Sequence, residues 1–322
     1  MSENSYTYSQ LSSTSASHLV ATQYNLDKNL TCRFYVLGLH DNYLLESDQQ
    51  QYILRIYRNH WRKKEDILFE LETLAFLNSK TDLVSELVTT NTGELAFQID
   101  SPEGPRFAAL FCYADGCSPD DKISAKESEL LGETVALIHK HLDQFTPQTS
   151  RQVLDIHYLL HTSIQTIKPF LENDQFAYLS QLAEQINTSM PALEKQISIF
   201  GLCIGDVNPT NFHINSNDKI TVFDFDQCGF AYRSFEIGKF FSSVHRYSKA
   251  DEIKNAFLAG YQTVRRLSLA EQTAIPWFEI ISLIWVMSIH VENADRIGYK
   301  NLEKPFWHKR LSDIKKRVTN LS

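Results

Sequence analysis

Asp206, Asn211 and Asp224 bring two carboxylates and a carboxamide into a spacing that could serve proton and metal chemistry at one place. The text runs Ile204-Gly205-Asp206-Val207-Asn208-Pro209-Thr210-Asn211, and the apolar run Ile220-Thr221-Val222-Phe223 then leads into Asp224-Phe225-Asp226. Pro209 has no N–H to give to a helix or sheet, so the first stretch reads as a loop. Transfer of a phosphoryl group from a nucleotide needs one carboxylate to orient the attacking hydroxyl and take its proton. A second carboxylate and an amide oxygen then hold Mg²⁺ against the phosphates. Mg²⁺ keeps several of its waters and asks few oxygen ligands of the protein, so one aspartate and one asparagine suffice. Asp206 suits the first task, Asn211 and Asp224 the second.

A base-bearing loop followed by a metal aspartate is the order of the protein-kinase motifs. The segment 200–240 resembles the aminoglycoside phosphotransferase and choline kinase family of protein-kinase-like enzymes, whose usual text is close to H-G-D-x-x-x-x-N and then I-D-F-D or I-D-W-E. The resemblance implies an α+β, two-lobed protein-kinase-like fold. A small N-terminal antiparallel β-sheet lobe would carry one helix, and the larger C-terminal lobe would be mainly helical. It also implies ATP as donor, Mg²⁺, and a small-molecule hydroxyl of the aminoglycoside, choline or ethanolamine, or homoserine type as acceptor. A protein serine or threonine is the minority case. Three positions depart from the pattern. Ile204 replaces a histidine whose task is packing and loop hydrogen bonding. Asp226 stands where protein kinases have glycine, as is usual in the small-molecule branch, and is a further candidate metal ligand. Arg55 stands where a lysine is common, and an arginine can bind phosphate in bidentate fashion.

The elements that must position these groups are legible upstream. Residues 31–57 give strand-like runs, Cys32–Leu37 with Tyr43–Leu45 and then Gln51–Tyr57, and Gly38 to Asn42 reads as the turn joining the first pair. Period-two alternation puts Arg55 on one face with Ile53 and Tyr57, the place of a half-buried or edge arginine. The family resemblance makes it the residue that pairs the nucleotide phosphates and a helix glutamate, beneath the Gly38 turn. Ile67, Leu71, Leu74 and Leu77 recur at helical spacing over Asp66 to Leu77, with Glu70 beside that stripe as the candidate partner and Glu72 as a weaker one. Phe107 to Tyr113 reads as a buried strand entering the turn Ala114-Asp115-Gly116. It resembles the family's lobe linker, which makes Phe111 and Tyr113 neighbours of the nucleotide. Leu130 to His139 resembles the family's helix ending in histidine, and His139 reads otherwise as a satisfied core or cap residue.

The 322 residues, 43% of them hydrophobic, are enough for two lobes, expected at 18–113 and 114–322. Residues 1–17, rich in serine and threonine, read as a mobile tail without the basic start or apolar run of a signal peptide. A net charge of −8 argues against general nucleic-acid binding, and the basic stretch from Lys304 to Arg317 reads as the solvated face of a terminal helix. Five cysteines without a C-x-x-C pair suggest reduced thiols, in keeping with a cytoplasmic location. The apolar helix Ile280 to Val291, interrupted by Ser282, Ser288 and His290, is expected to be buried and too short for a membrane. Further helices are expected near 176–188, 250–266, 270–293 and 306–319. The chain is expected to act as a monomer or homodimer on a small molecule, with neither nucleic acid nor membrane as partner.

In the resembled family the C-terminal helices shape the acceptor pocket. Trp285, Glu292 and Asp295 are candidates there, with Trp277, Glu279 and His290 nearby and Tyr232 and Arg233 after the second aspartate. Rings and carboxylates together can hold an ammonium group. Two readings compete. An apolar strand ending in Asp224-Phe225-Asp226 also resembles the haloacid dehalogenase phosphatases, although their motif opens the domain, and the D-x-D pattern recurs in nucleotide-sugar transferases. A non-catalytic, pseudokinase-like nucleotide-binding module is suggested by Ile204 and the lone loop glycine.

Overall fold

The computed structural model describes residues 6–26 and 30–321, and the chain divides into two compact units. The first runs to Asp115 and takes in Phe145–Arg151 and Thr221–Phe223; the second holds Gly116–Gln144, Gln152–Ile220 and Asp224–Ser322. Two short stretches from later in the chain thus return to the first unit.

In the first unit the alternating sequence folds as expected. Helix α1 (Ser13–Gln23) precedes strands β1 (Thr31–Leu37), β2 (Asp41–Glu46) and β3 (Gln51–Ile56), then α2 (Lys64–Asn78), β4 (Leu87–Val88), β5 (Phe97–Ile99) and β6 (Arg106–Cys112). The sheet is antiparallel in the order β1-β2-β3-β6-β4, with β5 also on β6. Tyr52, Leu54 and Ile56 share one face and pack with Ala16 and Val20 of α1. The odd-numbered Ile53 and Arg55 are left on the other face.

The stretch expected to be a tail is a correction. Its first five residues lie outside the described ones, but Tyr8 donates to Asp41 (2.6 Å), Ser9 donates to Glu103 (2.7 Å), and Ala16 is fully buried. The attraction is a buried charge. Arg106 is 1% exposed, pairs with Asp41 at 2.7 Å, and donates to the Ser9 carbonyl at 2.8 Å. The polar N-terminal residues are thus partners of a buried guanidinium that would be costly to leave unsatisfied.

The second unit is mainly helical: α3 (Ala125–Leu142), α4 (Ser163–Ile167), α5 (Asn173–Ser189), then strands β7 (Phe200–Cys203), β8 (Phe212–Ile214), β9 (Ile220–Val222, whose last residues join the first unit) and β10 (Gly229–Tyr232). Helices α6 (Arg233–Val244), α7 (Ala250–Val264), α8 (Leu269–Glu292), α9 (Ala294–Ile297) and α10 (Lys304–Leu321) complete it. Capping boxes start α3 at Ser124 with Glu127 and α8 at Ser268 with Glu271. The serines inside α8 do not break it, because Ser288 returns its hydroxyl proton to the Trp285 carbonyl at 2.8 Å. The helix thus runs 24 residues, in keeping with the stretch expected near 270–293 and reaching beyond its apolar part Ile280 to Val291; by length and composition it is enough to cross a membrane, with 72% of its apolar window buried inside the protein. Helix α6 is buried almost all round and packs on α8 through Phe235, Phe278 and Trp285.

Candidate active site

In the first unit the strand and helix bring Arg55 and Glu70 together. The Arg55 guanidinium donates to Glu70 Oε1 at 3.1 Å, and Glu70 is 1% exposed. Strand register seats Arg55 opposite Asn42 and Ala109 on its two neighbours, and Arg55 Nε donates to Asn42 Oδ1 at 3.4 Å. Phe111, opposite Ile53, puts its ring centroid 5.7 Å from the guanidinium carbon. Tyr113 follows that strand and meets the Tyr35 hydroxyl at 3.2 Å. Glu72 serves elsewhere, accepting from Thr149 and from the Gln148 N–H at 3.0 Å. The β1–β2 turn is tighter than expected, since β2 begins at Asp41. Gly38 donates to the His40 carbonyl at 3.1 Å, and a Cβ there would meet nothing nearer than 3.7 Å, so the turn itself does not demand glycine.

In the second unit the loop after β7 holds Asp206 and Asn211 side by side. Asn211 Nδ2 donates to Asp206 Oδ2 at 3.1 Å and to the Asp206 carbonyl at 3.0 Å. That pairing fixes which end of the carboxamide is the acceptor, leaving Oδ1 beside the Thr210 hydroxyl at 3.5 Å. Asn208 braces the turn, donating to the Asp206 carbonyl and accepting from the Thr210 N–H at 2.8 Å. Ser118 ties the Pro209 carbonyl at 2.7 Å. Gly205 sits at φ +87 with the Gln227 carbonyl where a Cβ would be, 2.0 Å away, so no other residue fits. Asp224 adopts φ +64, a left-handed conformation uncommon outside glycine and concentrated at functional sites. Asp226 is 4% exposed and accepts from Gln227 at 3.3 Å. A carboxamide oxygen with two nearby aspartates in the sequence is the hard oxygen donor set that Mg²⁺ takes, and the locked amide of Asn211 fits it.

Two residues that the sequence reading passed over, Glu236 and Lys239, hold this loop. Glu236, fully buried on α6, accepts from the Ile204 N–H at 2.5 Å and from the Gly205 N–H at 2.9 Å. His139 Nε2 lies 3.3 Å from the same carboxylate and its Nδ1 2.9 Å from the Tyr261 hydroxyl, so it is the satisfied core histidine expected. Burial pushes the Glu236 carboxyl up to about 7 against the pull of those two N–H groups, and burial holds His139 well below its usual value. Lys239, one turn further along α6, places its ammonium 2.5 Å from Asp206 Oδ1. The spacing of Glu236 and Lys239 matches an exposed salt-bridged helix face, and only the apolar residues around them hinted at burial. Ile204 itself is fully buried, and its backbone N–H makes the loop bond to Glu236 whatever its side chain.

The acceptor candidates are corrected in part. Trp285 is 1% exposed, its ring against Phe235 at 5.6 Å, so it is a core residue that no acceptor reaches. Tyr232 is 9% exposed, packs edge-on to Phe200, and gives its hydroxyl proton to the Leu193 carbonyl. Arg233 is fully buried, bonding the Leu202 carbonyl and Asp143. Glu279 is held by Lys254 and Arg317, both at 2.8 Å. Glu292 and Asp295, at the end of α8 and the start of α9, are exposed. Aromatic residues at helical spacing were here core, as such residues mostly are.

A family model described as the phosphotransferase enzyme family matches residues 32–270. An uncharacterized protein of Synechocystis sp. is 33% identical over 309 residues, covering 95% of this chain and 86% of that one. Among solved structures, a microcompartment-associated aminopropanol kinase superposes with a TM-score of 0.77 at 22% identity, over 94% of both chains. An amicoumacin kinase in complex with AMP-PNP and Ca²⁺ superposes with a TM-score of 0.78 at 19% identity, over 94% of this chain and 93% of that one. The fold is therefore the two-lobed kinase-like α+β fold that the motifs implied, and the chain belongs to the phosphotransferase enzyme family.

Proposed function

We propose that this protein moves the γ-phosphoryl group of ATP to a hydroxyl of a small molecule that also carries an amine, such as an amino alcohol or an amino sugar. The observation that carries the reading is the 3.1 Å bond between Asn211 and Asp206, which sets a candidate proton acceptor and a candidate metal oxygen in one rigid loop. Asp206 orients the acceptor hydroxyl and takes its proton. The hydroxyl oxygen bonds to the γ-phosphorus, the bond to the bridging oxygen breaks, and ADP leaves without a covalent enzyme intermediate. Asn211 and Asp224, with Asp226 beside them, would hold Mg²⁺, which when bound neutralises charge on the phosphates. Arg55, steadied by Glu70, binds the α- and β-phosphates. Catalysis is then mostly positioning and charge neutralisation. The acidic balance of the chain, −8, favours a cationic acceptor, and the amine is part of the reading on that ground.

The test is release of ADP from Mg·ATP across a panel of hydroxyl compounds that includes amino alcohols, amino sugars, homoserine and a serine-containing protein. Turnover with one small molecule is expected, and Asp206→Asn should lower it by about 10²–10⁴ while nucleotide still binds. Unchanged turnover in that variant would sink the mechanism. Nucleotide binding without turnover on any acceptor would make the chain a binding module instead.

A further inference from the structure

Lys239 is a buried cation whose carboxylate partner is the candidate base. Its side chain is 6% exposed, that of Asp206 is 30% exposed, and Nζ and Oδ1 are 2.5 Å apart. An ammonium taken out of water costs several kcal/mol unless it is paired, so the fold keeps Lys239 there at a price that calls for a function. The loop Ile204 to Asn211 contains no lysine or arginine. The positive charge that meets Asp206 arrives from a helix beginning three strands later, one turn beyond the glutamate that holds the same loop by its backbone.

We propose that Lys239 is a positioning residue for Asp206, an inference that rests on the phosphotransfer reading above. A carboxylate can turn about its Cβ–Cγ bond, and one hydrogen bond leaves that rotation loose. Here the two oxygens are held by different donors, Oδ1 by Lys239 and Oδ2 by Asn211 at 3.1 Å. The plane of the group is thereby fixed. A carboxylate offers about four acceptor sites, so two donors leave capacity for an incoming hydroxyl. In a loose, metaphosphate-like transition state the hydroxyl proton is still largely on its oxygen. Orientation of the carboxylate is then what the clamp supplies. Helix α6 thus sets the loop twice, its main chain through Glu236 and its working side chain through Lys239.

Four variants test the assignment: Lys239→Met, Lys239→Arg, Asp206→Asn and the Lys239→Met/Asp206→Asn double. By ADP release, Lys239→Met is expected to lose about 10²-fold in kcat, the order of a 1 Å misplacement, with KM for ATP within about threefold of wild type. Lys239→Arg, which keeps a donor, should regain about tenfold of that loss. Added to Asp206→Asn, Lys239→Met should do no further harm, because the two side chains act as one unit. A Lys239→Met kcat within about threefold of wild type, an arginine variant no better than the methionine one, or losses that multiply in the double variant would each overturn the assignment.

Melting curves keep the two readings apart. Asp206→Asn leaves a buried ammonium without its counter-charge, so its midpoint should rise again in the double variant. Midpoint losses that simply add would overturn the clamp even for a wild-type protein that turns over no acceptor, an outcome that by itself overturns only the phosphotransfer reading.

Discussion

The two candidate halves of the chemistry are positioned by opposite means. Arg55 in the first unit sits on a central strand whose register with β2 and β6 fixes its place, and one helix supplies its partner Glu70. Asp206 in the second unit sits on an irregular loop that passes through positive φ at Gly205, and it depends on Glu236, Lys239 and Asn211 for its place. Regular backbone positions a side chain through hydrogen bonds the sheet makes anyway. An irregular loop needs dedicated partners, and here they include buried charges. The second half should therefore be the more fragile to substitution, although its candidate base is the better exposed.

Removal of Glu236 is the strongest way to break that contrast. Glu236→Ala strands the Ile204 and Gly205 N–H groups and leaves His139 without its neighbouring carboxylate. A loss of about 3–5 kcal/mol in urea unfolding is expected, the range for breaking a buried charge network, together with loss of turnover although Glu236 bonds the loop only through its backbone. A loss below about 0.5 kcal/mol, the size of an ordinary surface substitution, would mean the loop holds its shape unaided.

Arg55→Met is the matching change in the first unit, and its effect should be smaller. Glu70 would keep a buried carboxylate without that guanidinium, but Arg55 is itself 11% exposed and water can follow it in. About 1–3 kcal/mol is expected, with KM for ATP rising about tenfold and kcat for bound nucleotide falling less. Equal damage to kcat from Arg55→Met and Lys239→Met would erase the division of labour between the two regions.

The same contrast explains what could be read from the chain. Strands and helices of the first unit follow period-two and helical patterns, so the elements carrying Arg55 and Glu70 were legible, the family resemblance supplied their pairing, and Asp206, Asn211 and Asp224 stood out as candidates by type and spacing. Glu236 and Lys239 were not. Their role comes from a contact across some thirty residues to a loop without periodicity, and their own text, Phe235-Glu236-Ile237-Gly238-Lys239, mixes charge with apolar residues as an amphipathic surface helix would. The N-terminal stretch misled for a related reason. Its serines and tyrosine looked solvated until Arg106, far along the chain, supplied a buried charge for them to satisfy. Trp285 looked available for an acceptor because spacing cannot say which side of a mostly buried helix meets a ligand.

The smallest expected effect is the pH dependence of the loop's anchor. Burial raises the Glu236 carboxyl to about 7, with the Ile204 and Gly205 N–H groups, Arg233 and Lys239 pulling the other way. Because this folded value lies above the ordinary carboxylate range near 4.3, the folded state holds a proton that the unfolded chain has released. The group's contribution to stability is complete below that ordinary value and is lost as pH rises through about 7. His139 runs the other way: burial lowers it, so its contribution is complete above about 6.5 and is lost as pH falls. Above that pH the histidine is neutral folded or unfolded, and Glu236 titrates alone. Glu236→Gln cannot titrate, so the melting midpoint of wild type should approach that of the variant by about 2 °C between roughly pH 6.5 and 8, less than 1 kcal/mol for a unit of this size. A gap that stays constant would show that the loop N–H groups and the neighbouring cations outweigh burial and keep Glu236 ionised throughout.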